Sequence, residues 1–175
     1  MAEYPQSLVR THILFDGREV SIRPIRPEDK TIEQDFVRGL SRDSRYYRFM
    51  EQLNELSPTK LKYFTEIDYD RHMALVAVDR REGRDTEVGV ARYVAEPGSA
   101  SCEFAIVVDD AWQGTGLAGV LMASLIDAAR GHGFRTMEST VLTDNHKMLK
   151  FARQLGFRVI PEPEDPGVRR IILEL

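Results

Sequence analysis

The segment Glu103 to Met122, EFAIVVDDAWQGTGLAGVLM, constrains the fold more than any other part of the chain. An apolar run, Phe104 to Val108, leads through a short loop into glycines, and these open an amphipathic helix. Glycine lets backbone N–H groups approach a ligand closely, and a helix start carries partial positive charge. Together they form an anion site, most often for phosphate. The Walker A pattern requires Gly-Lys followed by Ser or Thr, and Gly119-Val120 fails it. Gly114 to Gly119 matches G-x-G-x-x-G literally, but Asp109 to Gln113 intervene where a dinucleotide fold turns tightly. A glycine-rich turn chosen for packing is the bland alternative.

The flanking sequence narrows the architecture. Thr11 to Leu14 and Val20 to Ile25 read as strands joined at Asp16-Gly17. Pro27 opens a helix running to about Gly39, Ser41 caps a second over Arg42 to Met50, and Ser57-Pro58 starts a third ending near Thr65. Met73 to Asp79, Glu87 to Val94 and Ser101 to Val108 read as strands, with turns at Arg81 to Gly83 and Glu96 to Ser99. Connections this short favour antiparallel neighbours. Leu117, Val120, Leu121, Leu125 and Ala128 share one helical face until Gly131-His132-Gly133. Thr136 to Leu142 is a strand, and Asn145 to Leu155 a helix closed by Gly156. Phe157 to Ile160 and Val168 to Leu175 are strands around the acidic loop Pro161 to Gly167. The order is α+β, with a strand-helix-strand crossover in the second half.

Composition excludes several classes. The net charge of −4 argues against a dedicated nucleic-acid binder. Lone Cys102 allows no intramolecular disulfide or cysteine zinc cluster, and no metal site is expected from the histidine spacing. The longest wholly apolar stretches, Ala74 to Val78 and Phe104 to Val108, are too short to span a bilayer. Met1 to Arg10 lacks the apolar core of a signal peptide. These features lead us to expect one domain over residues 1–175, cytoplasmic, with no membrane or nucleic-acid partner.

Gln113-Gly114-Thr115-Gly116-Leu117-Ala118 matches the Q/R-x-x-G-x-G/A motif of the GCN5-related N-acetyltransferase (GNAT) family at its strand-to-helix junction. Asn145 through Leu155-Gly156-Phe157 resembles that family's later segment. Ser21 to Asp29, Ser44 to Phe49 and Ile67 to Arg71 look like the acetyltransferase domain of Pat-type protein lysine acetyltransferases. Those enzymes often carry a fused acyl-CoA-synthetase-like region, which is not expected here. The resemblance implies the acyl-CoA N-acyltransferase fold, a mixed sheet of about seven strands flanked by helices. It also implies acetyl-CoA as co-substrate. The backbone of Ile106, Val107 and Val108 would pair with pantetheine. The amides of Gln113, Gly114, Thr115, Gly116, Leu117, Ala118 and Gly119 would hold the pyrophosphate, and Asn145 would face the pantetheine arm. A protein lysine is the implied acceptor, an acyl-CoA synthetase being one candidate partner. A small-molecule amine acceptor and a non-catalytic CoA-binding sensor remain the alternatives.

Acetyl transfer needs a neutral amine. A lysine with pKa about 10.4 is mostly protonated at pH 7, and deprotonating it costs roughly 4.6 kcal/mol. Glu103 is the candidate base: it is the acid within the run Cys102 to Val108, and it matches the glutamate used in related domains. Partial burial would raise its pKa. The competing expectation is a cross-strand ion pair with Arg92, which a hairpin through Glu96 to Ser99 would set roughly opposite. The tyrosine that often protonates the leaving thiolate is replaced by Ala152, and Gly119-Val120 stands where relatives often carry arginine. Arg45, Arg48, Arg71 and His72 are expected to be solvated or paired with Asp43, Asp68 and Asp70 rather than to line an acceptor cleft. Cys102 and Trp112 are expected to pack.

Overall fold

Eight strands join in one sheet in the order β1-β2-β3-β4-β5-β6-β8-β7, in a computed structural model that describes residues 2–42, 44 and 55–175. The strands are β1 (Arg10–Ile13), β2 (Glu19–Pro24), β3 (His72–Arg81), β4 (Arg84–Val94), β5 (Ser101–Val108), β6 (Thr136–Leu142), β7 (Arg158–Pro161) and β8 (Val168–Glu174). Among the described residues four α-helices flank them: α1 (Lys30–Gly39), α2 (Pro58–Thr65), α3 (Leu117–Gly131) and α4 (His146–Gln154). This is the expected α+β architecture, a mixed sheet flanked by helices, with one strand more than about seven. The expected helix over Arg42 to Met50, with Arg45 and Arg48, falls mostly outside the described residues, as does Asp43.

Local signals account for most boundaries. Ser57 caps α2 by accepting the Lys60 amide, and Pro58 fills its first turn. The β3–β4 turn is tighter than expected. The strands pair out to Arg81 and Arg84, leaving Glu82-Gly83 with φ of 53° and 75°. Positive φ at both central residues is the geometry that matches strand twist.

Two apolar layers cover the sheet. On one face Leu117, Leu121, Met122 and Leu125 of α3 and Leu149 and Ala152 of α4 pack on Cys102, Phe104 and Met137. On the other, Phe36 of α1 packs with Ala74, Val76, Val78 and Val90. Every neighbouring strand pair is antiparallel except β5 and β6, which α3 connects in parallel. No helix among the described residues is long and apolar enough to cross a membrane.

Candidate functional site

The parallel β5–β6 pair is short. It runs only from Ser101↔Thr136 to Glu103↔Glu138, although both strands continue beyond it. Their divergence opens a cleft of about 1160 Å³. Residues 103–108 and 139–142 form its walls, Gln113, Gly114 and Gly116 to Gly119 one end, and Asn145 to Met148 the opposite side. Ile106, Val107 and Val108 therefore line the cleft along the stretch of β5 that β6 does not pair.

The glycine loop has a backbone geometry that could receive an anion. Gly114 and Gly116 have φ of 77° and 88°, a left-handed conformation open to glycine without strain. Thr115 is buried; its hydroxyl donates to the Trp112 carbonyl at 2.6 Å and accepts the Leu117 amide at 3.3 Å. The Gln113 amide donates to the Asp110 carbonyl. Two of the seven expected amides, those of Gln113 and Leu117, thus already have acceptors. Those of Gly114, Thr115, Gly116, Ala118 and Gly119 have none among the described residues. Trp112 is 6% exposed and packs in the core, as expected, beneath the Arg18 guanidinium.

Residues absent from the sequence-based candidates complete the cleft. Lys147 and Lys150, on the first turns of α4, line it, and Lys147 Nζ donates to Gln113 Oε1 at 2.8 Å. They place positive charge across from the loop where arginine is missing at Gly119-Val120. The available signal was their spacing after Asn145 on an amphipathic helix. Phe15, from the β1–β2 turn, also lines the cleft; nothing local in the sequence placed it there. Asn145 lines the cleft too, but its side-chain oxygen accepts the Met148 amide at 3.2 Å and caps α4.

Glu103 sits at the fork. Strand alternation puts its side chain on the face opposite Cys102, the α1 and α2 face where Val107 packs. Two expectations about it are corrected. It is exposed among the described residues rather than partly buried, at the last residue pair before the two strands diverge. It also faces Val94, while Arg92 faces Ala105. Arg92 is 3.8 Å from Glu33, donates to the Phe64 carbonyl and meets His72 Nε2 at 2.8 Å. Across the parallel pair lies Glu138, whose carboxylate is 3.3 Å from Arg170. Among the described residues no ion pair or hydrogen bond engages the Glu103 carboxylate.

Arg71 is also corrected: it donates to the Glu96 and Ser99 carbonyls and so braces the β4–β5 turn. His72 is buried rather than solvated: its ring meets Arg92, and its amide donates to Asp68 Oδ1. Cys102 is buried, and burial pushes its thiol up to about 12, leaving it a packing group. Ala152 is fully buried under the sheet, and Phe151 is the cleft residue beside it. No cluster of three or more His, Cys, Asp or Glu able to hold a metal occurs among the described residues.

Residues 37–157 match the Acetyltransferase (GNAT) family. An acetyltransferase from Pseudomonas aeruginosa is 42% identical over 152 residues, covering 87% of this chain and 82% of that protein. Acetyltransferase Pat from Mycolicibacterium smegmatis is 32% identical over 153 residues. That match covers 87% of this chain but 44% of Pat, so the chain spans less than half of that relative. The crystal structure of the GNAT domain of S. lividans PAT superposes with a TM-score of 0.89 at 29% identity, covering 99% of this chain and 100% of that one.

Proposed function

The chain belongs to the GNAT acetyltransferase family, and from that premise we propose that it transfers acetyl from acetyl-CoA directly to a protein lysine, with Glu103 as general base. The observation that carries this reading is the fork between β5 and β6. Pairing stops at Glu103↔Glu138, and the cleft runs from there to the glycine loop. The residues present fit the co-substrate. Five loop amides without acceptors among the described residues, at the start of α3, suit a pyrophosphate. Lys147 and Lys150 add cationic charge from the other wall. The unpaired length of β5 offers backbone groups to an amide-bearing arm.

Bound there, acetyl-CoA supplies the thioester carbonyl that the amine attacks. Glu103, exposed and on the α1 and α2 face, accepts the proton the amine loses. Glu138, its neighbour at the fork, is engaged by Arg170, which leaves Glu103 as the carboxylate available at that point of the cleft. The cleft lining holds no tyrosine among the described residues, and no side chain is assigned as general acid; the sulfur departs as a thiolate that solvent can protonate. The resemblance of Ser21 to Asp29, Ser44 to Phe49 and Ile67 to Arg71 to Pat-type protein lysine acetyltransferases supports lysine as the acceptor, and a cytoplasmic setting is part of the same reading.

The test uses acetyl-labelled CoA with purified protein and a desalted lysate, with and without added metabolite amines. Label is expected on protein, at lysine, and Glu103→Gln is expected to cut turnover by about 10²–10⁴-fold with unchanged acetyl-CoA affinity. Label confined to small molecules would overturn the protein acceptor. Equal turnover by Glu103→Gln would overturn the base.

A further inference from the structure

Phe15 is 90% exposed, the most exposed large apolar side chain among the described residues. It is nevertheless held in place. Its amide donates to the Thr115 carbonyl at 3.0 Å, and its ring lies so close to Gly116 that a Cβ there would sit 2.8 Å from Phe15 Cε2. The turn carrying it is fastened to the same loop a second time. Arg18 pairs with Asp16 at 2.7 Å, donates to the Ala111 carbonyl at 3.1 Å and lies 3.8 Å over the Trp112 ring. The ring is thus fixed beside the amides that open α3, with most of its surface facing solvent at the mouth of the cleft.

We propose that Phe15 is the platform on which the adenine base of CoA stacks, so that the β1–β2 turn reads the nucleotide end of the co-substrate. The proposal rests on the acetyl-CoA reading of the cleft. In CoA the adenine is one ribose away from the pyrophosphate, so a flat apolar ring touching the pyrophosphate loop lies within its reach. A base stacks on an aromatic ring without needing hydrogen bonds, and the ring gains because its exposed area leaves water. Only glycine at position 116 leaves room for the ring at this distance, which gives that residue a steric role beside its backbone one.

The experiment compares calorimetric affinities for CoA and for 4′-phosphopantetheine, which lacks the adenosine, in wild type, Phe15→Ala and Phe15→Trp. Phe15→Ala is expected to weaken CoA by about fivefold or more while leaving 4′-phosphopantetheine unchanged, and Phe15→Trp to restore CoA. Equal losses for both ligands, or none for either, would overturn the platform. So would a wild type that binds the two alike. Sedimentation tests the competing use of an exposed ring: a dimer lost in Phe15→Ala with an unchanged ligand ratio would make it an interface residue instead. A wild type that binds neither ligand would remove the acetyl-CoA reading itself. Melting temperatures matching wild type would show that the variants fold.

Discussion

Glu87 is buried on β4 among charged neighbours. Burial pushes its carboxyl well above the ordinary 4.5, and the nearby Glu33 adds to this, against the pull of Arg92. Burial in turn lowers the Arg92 guanidinium below its usual value. The sign for stability follows from the raised carboxyl. Its contribution is fully present below about pH 4.5 and is lost as pH rises through the higher folded value. Glu87→Gln, neutral throughout, should therefore gain on wild type as pH rises. Denaturant titrations should show the gap widening by at most about 1.4 kcal/mol per pH unit while the group titrates. Nothing in the sequence distinguishes Glu87, because a buried acid differs from a solvated one only in its surroundings. Arg92 sits two residues from the alignment the hairpin predicts, facing Ala105 in place of Glu103.

The ends of α4 and the β3–β4 turn were legible because their signals are local. Asn145 caps α4 and Gly156, with φ of 97°, follows its last turn. Asn145→Ala should cost about 1 kcal/mol by chemical denaturation, with Asn145→Asp retaining most of the stability. Glu82 holds a positive φ of 53° without being glycine. Glu82→Asn should gain up to about 1 kcal/mol, read as a higher denaturation midpoint with unchanged slope. The turn proved shorter than Arg81 to Gly83 because pairing across the two strands continues through Arg81↔Arg84. Side-chain chemistry marks where a turn lies; cross-strand pairing decides how much of it remains.

The sheet is nearly cut between β5 and β6, where only three residue pairs join a five-strand half to a three-strand half. A ligand lying along both walls should knit the halves together. Saturating acetyl-CoA at about 100-fold over its dissociation constant should stabilise the fold by about 2.7 kcal/mol, seen as a rise in melting temperature. Amide exchange should slow along residues 104–108 in the same experiment. The sequence by itself determined the order of elements, their caps and the glycine loop, since these depend on residues a few positions apart. The family followed from the same local motifs. Tertiary structure alone decided what lies across the cleft: Phe15 on Gly116, Lys147 on Gln113, Glu103 at the fork beside Glu138. The first two contacts bridge wide sequence separations, and all three depend on strand register and sheet packing, which no short-range periodicity encodes.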